Sequence, residues 1–140
     1  MVLDWATVPV AKYQFAPPPD HIGWAPFADA IQQIIALAQD SGAAPIIVYY
    51  PNTSIRLAPF AKLNAEASKL LEAHVVKTSR RMEKIVTDAG GRFIDVTGPF
   101  RKRARTMPVT VTLMDYHLNQ QGMDLFFESI KPMVFDALKH

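Results

Sequence analysis

Asp115, His117 and Asn119 occupy alternate positions in the stretch LMDYHLNQQGMDLFFESI, residues 113–130. Side chains two residues apart on an extended segment lie on the same side. A carboxylate there can accept the Nδ1 proton of the imidazole, which fixes the tautomer and leaves Nε2 as a general base. Asn119 offers the side-chain oxygen of an N-cap for the helix that follows. Gly122, in that helix's first turn, leaves room for a second backbone segment to approach. A plainer reading fits the same residues: a surface Asp–His hydrogen bond on a loop, then an ordinary capped helix. What separates the two readings is whether the other half of a catalytic apparatus lies elsewhere in the chain.

The serines are Ser41, Ser54, Ser68, Ser79 and Ser129. Ser41, in QDSG, follows a helical segment and precedes an apolar one, so it falls at the wrong end of a sheet. Ser54, in PNTSIRL, follows the apolar segment and is at the right kind of edge, but no helix start stands directly behind it. Ser68, Ser79 and Ser129 fall on helical segments and are expected to face solvent.

Other chemistry is sparse. His21 beside Asp20 reads as a surface turn, His74 lies within a helix, and His140 is terminal. The four histidines have no ligand spacing, so no metal site is expected. With zero cysteines, disulfides, thiolate metal sites and a cysteine nucleophile are excluded, while the compartment stays open. Neither a phosphate-binding loop nor a dinucleotide fingerprint occurs, so no cofactor is expected. The run RKRAR, residues 101–105, could meet phosphate groups. The net charge is only +2, however, and the run reads as a solvated loop, with no nucleic-acid partner. No apolar run approaches the roughly 18 residues of a membrane span, and the N-terminus lacks the pattern of a secretory leader.

The elements that must position these residues follow from periodicity. A chain of 140 residues, 49% hydrophobic and 20% charged, predicts one ordered domain over residues 1–140. VLDWATVPV reads as a short edge strand or the remnant of one. FAPPPDHIGW is a loop, because three consecutive prolines suit neither a helix interior nor a central strand. From Trp24 to about Gln39 the apolar residues Phe27, Ile31, Ile34, Ile35 and Ala38 define one helix face. PIIVYYP, residues 45–51, lacks alternation and predicts a strand buried on both faces, as in parallel sheets. A second helix is expected over residues 63–89, with Leu63, Ala67, Leu70, Leu71, Val75, Met82, Ile85 and Val86 inward. Gly90 and Gly91 end it.

RFIDV predicts a second strand, TGPFRKRARTMP a loop with at most a helical turn, and VTVTLM an extended segment. Residues 120–138 predict a last helix with Leu125, Phe126, Ile130, Met133, Val134 and Leu138 inward. Pro132 should kink that helix or displace its start. Alternating helices and strands favour a layered α/β fold with a parallel sheet.

The block DYHLNQQG followed by a helix resembles the C-terminal catalytic block of the SGNH (GDSL-type) hydrolases, where an Asp and a His stand just before the last helix and Asn-x-x-Gly often follows. The preceding layout is similar too: a helix, the buried strand IIVYYP, a long helix ending in Gly, and the short strand FIDV. The resemblance covers most of the chain, although only its last block is specific. Many members have two residues between the Asp and the His, whereas this chain has one, Tyr116. The resemblance implies a three-layer, mainly parallel sheet flanked by helices, flavodoxin-like in arrangement and incomplete on its N-terminal side. It implies His117 as general base, Asp115 as its orienting acid, and a serine nucleophile. It also implies hydrolysis of a small-molecule or carbohydrate ester.

The family's Gly-Asp-Ser segment and oxyanion Asn have no counterpart before Asn52. The expectation is therefore a truncated or degenerate hydrolase. Two consequences follow: weak or absent hydrolysis, and an exposed sheet edge that invites homo-oligomers. The competing expectation is a non-catalytic α/β binding or assembly module that keeps the fold.

Overall fold

The structure, a computed structural model, describes residues 23–50, 65–109 and 117–139. Among these, α1 spans Trp24–Asp40, β1 Ile46–Tyr49, α2 Ala65–Asp88, β2 Arg92–Asp95, α3 Thr97–Ala104 and α4 Gln120–Ala137. The readings of VLDWATVPV, FAPPPDHI, NTSIRLAP and VTLM, and of Asp20, His21, Ser54, Leu63, Asp115 and His140, lie outside the described residues.

Both strand entries are set by how the preceding helices stop. Gly42 and Gly90 take φ values of 74° and 80°, the left-handed region that glycine enters without a Cβ penalty. The turn then closes with the N–H of Ala43 donating to the Ala38 carbonyl and that of Gly91 to the Val86 carbonyl, each at 2.9 Å. This is the pattern that satisfies the last carbonyls of a helix. Gly91 adds a packing reason, since a Cβ there would meet Ile35 Cδ1 at 2.7 Å.

β1 and β2 pair in parallel, Ile46 with Arg92 through to Tyr49 with Asp95. All four residues of β1 are half-buried, which matches the unalternating sequence of a strand covered on both faces. Val48, Tyr50 and Ile94 pack with Leu118, Leu125, Phe126 and Ile130 against a buried cluster of Val96, Phe100, Ala104 and Val109. The ring of Tyr50 stands edge-on to Phe100 and Phe126, with centroids 5.2 and 6.1 Å away. From the other face comes α2, which lies chiefly over β2 and has α1 beside it. Ile35, Leu71, Val75 and Val86 are buried on that side.

Several sequence expectations change. TGPFRKRA is a helix, not a loop. Its Gly98 and Pro99 fall in the first turn, where backbone N–H groups have no helical partner and proline costs nothing. By contrast, α4 starts at Gln120 as expected, with Pro132 inside it. Of the predicted inner faces, Ile34, Leu70 and Leu138 are instead exposed. So is Leu37.

Candidate functional site

The Asn119–Gly122 turn joins the start of α4 to the segment after α3. Asn119 has extended backbone (ψ 179°), and its Oδ1 accepts from the Gly122 N–H at 2.9 Å, so it is the N-cap that its residue type predicts. The other end of the same carboxamide is also used: Nδ2 donates to the Pro108 carbonyl at 2.9 Å. The Asn119 N–H donates to the Val109 carbonyl at 3.2 Å. Gly122 is buried, and a Cβ added there would overlap the Val109 carbonyl oxygen. The close backbone approach read from the sequence is present, and residues 108–109 are the segment that makes it.

His117 stands two residues before this cap and is exposed. Two fixed points, the Asn119 cap and the backbone of Pro108 and Val109, locate the chain on which it is carried. Asp115 lies outside the described residues, so the Asp115–His117 relationship stays an expectation from sequence.

A second cluster sits where the parallel strands end, the usual place for chemistry in open α/β sheets. The Asp95 carboxylate accepts from the Ser79 hydroxyl at 2.5 Å and from the Thr97 N–H at 2.8 Å. Asp95 thereby ties α2 to the first turn of α3, which has no side-chain cap from its own Val96. Burial, and then the Asp95 charge, push the Tyr49 phenol above its usual range. Sequence reasoning placed Ser79 in solvent, but it is buried and bound to Asp95. The signal was available: Leu71, Val75, Ser79, Met82 and Val86 recur at three- and four-residue steps, so Ser79 shares the inward face.

The other described serine hydroxyls donate to backbone carbonyls, Ser41 to Leu37 at 2.9 Å and Ser129 to Leu125 at 2.7 Å. The side chain of Ser68 lies outside the described residues. The basic run is on α3, where Arg101 pairs with Glu72 at 2.5 Å and Lys102, Arg103 and Arg105 are exposed. Positive charge at a helix C-terminus is favourable in itself. Among the described residues no group of three or more His, Asp or Glu converges as a metal site. No described helix is long and apolar enough to cross a membrane. Comparison of the chain with protein-family models, curated proteins and solved structures finds no match.

Proposed function

We propose that this chain is an SGNH-type ester hydrolase domain, three-layered, with His117 as general base and Asp115 as its orienting acid. The observation that carries the reading is the anchored turn at Asn119 and Gly122. It holds the His117 segment at the start of the last helix, where a base on a rigid support can meet a substrate carbonyl. The reaction is acyl transfer from a small-molecule or carbohydrate ester to water. In it His117 takes the proton of a serine hydroxyl, and Asp115 stabilises the imidazolium that forms.

One observation favours a second reading, a non-catalytic α/β module. Each described serine hydroxyl is committed to Asp95 or to a backbone carbonyl. Ser54, which follows β1 in the sequence and lies outside the described residues, is the serine that the hydrolase reading requires. Incubation with a short-chain aryl ester and a serine-directed phosphonate tests both readings. Turnover that His117→Ala abolishes, with labelling at Ser54, supports the hydrolase. Neither turnover nor labelling supports the module.

A further inference from the structure

We propose that the groove between the C-terminal ends of α1 and α4 is a binding site for an uncharged amphiphile, an alkyl chain with a single hydroxyl head. Ala43, Ala44, Ile46, Val134, Ala137 and Leu138 form its apolar walls, and its volume is about 710 Å³. Small-molecule sites typically combine a volume of roughly 300–1,000 Å³ with apolar walls and a few fixed polar groups. Ile46 and Arg92, which also lines the groove, are the first residues of β1 and β2. The groove therefore lies at the opposite end of the strands from Asp95. The 18 residues of α4 separate it from the Asn119 turn by about 27 Å. Its occupancy does not depend on ester hydrolysis at His117.

Two polar side chains line the groove, and each is held at one end. Arg92 Nη1 donates to the Asp136 carboxylate at 2.9 Å, which leaves Nε and Nη2 with no partner among the described residues. Gln39 Nε2 donates to the Gly90 carbonyl at 3.1 Å, which leaves Oε1 as an acceptor with no partner among the described residues. Side chains pinned in this way have less freedom to lose when a ligand arrives. A hydroxyl is the smallest head that answers both. Its oxygen accepts from the guanidinium, and its O–H donates to the Gln39 carboxamide.

Charge decides the class of head. The Arg92 guanidinium is already paired with Asp136, so the pair brings no net charge. α1 ends at Asp40 and α4 at Ala137, and helix C-termini carry partial negative charge. A carboxylate head would meet both helix ends with no uncommitted cation to receive it. An ammonium head would stand beside the guanidinium. An uncharged head meets neither repulsion and leaves no ion to desolvate. The walls set the body of the ligand. Leu138 is 76% exposed, and an alkyl chain laid against it and Val134 removes apolar surface from water.

Methyl NMR on the full chain tests the site with three ligands of one length: 1-octanol, octanoate and octylammonium. 1-Octanol should shift the methyl signals of Ala43, Ala44, Ile46, Val134 and Leu138 saturably, while those of the core residues Val96 and Val109 stay in place. Octanoate and octylammonium should each bind at least ~10-fold more weakly. Ala44→Phe fills the groove from an exposed position and should abolish the octanol shifts. Arg92→Met keeps an apolar stem, loses the donors and should weaken octanol at least ~10-fold. Should the Val96 and Val109 methyls move in Arg92→Met, the fold has changed and Ala44→Phe alone decides. Any of five results overturns the site. They are octanol shifts that are absent or fail to saturate, equal binding of either charged ligand, shifts that persist in Ala44→Phe, unchanged affinity in a folded Arg92→Met, and groove signals that follow protein concentration without ligand, which mark a second copy there.

Discussion

Gly122 lies so close under the carbonyl of Val109 that a single added carbon would overlap the oxygen. Helix propensity alone favours alanine over glycine by about 1 kcal/mol at such a position. The overlap works against it, because a backbone carbonyl cannot swing aside like a side-chain tip. Gly122→Ala is expected to destabilise the fold by about 1–3 kcal/mol, read from the shift in the urea midpoint at constant slope.

Asn119 uses both ends of its carboxamide, so its substitutions should separate two contributions. Asn119→Ala loses the cap on α4 and the tie to Pro108, with an expected cost of about 2 kcal/mol. Asn119→Asp keeps the acceptor for Gly122 and adds a charge that suits a helix start, but loses the donor to Pro108. Its cost should be less than half as large. Equal effects of the two substitutions would show that the Pro108 tie dominates.

The buried hydroxyl of Ser79 gives a third expectation. Ser79→Ala removes one of the two described donors to Asp95, at about 1–2 kcal/mol, since the partner is charged but exposed. Asp95→Ala removes both donors' partner and leaves the first turn of α3 uncapped, so it should cost more. Thermal unfolding of the two variants and of their combination measures the coupling.

Burial pushes the His74 imidazole below its ordinary value, so the folded state holds this proton less well than the unfolded chain. The resulting stability is fully present above about pH 6.5. It is lost as pH falls through the lower folded value. His74→Gln should flatten that acid limb. Tyr49 gives the opposite case. Its raised value contributes stability that is complete below about pH 10 and is lost as pH rises through the folded value. Tyr49→Phe should flatten the alkaline limb.

Periodicity and stop signals made α1, α2 and α4 legible, because each carries an inward stripe and the first two end at glycine. β1 was legible as an apolar run bounded by prolines. α3 was not, since Gly98 and Pro99 read as a turn unless one knows that Asp95 waits to cap the amide of Thr97. The exposure of Ile34, Leu37 and Leu138 was not legible either, because a helical stripe shows which face is apolar and not how much of it finds a neighbour. At the site, the roles of Asn119 and Gly122 were readable from local spacing alone. The place of Ser79 depended on Asp95, which comes from another element, and only the inward stripe of α2 hinted at it.

Ile46 pairs with Arg92 only after the whole of α2 has been threaded between them. Closing so long a loop costs chain entropy before any ladder bond forms, whereas α2 gains its bonds locally. Refolding should therefore be paced by the meeting of the two strands, with helical signal arriving first. Substitutions at Phe93 that weaken the ladder would then slow acquisition of the native state more than equally destabilising changes on the exposed side of α2.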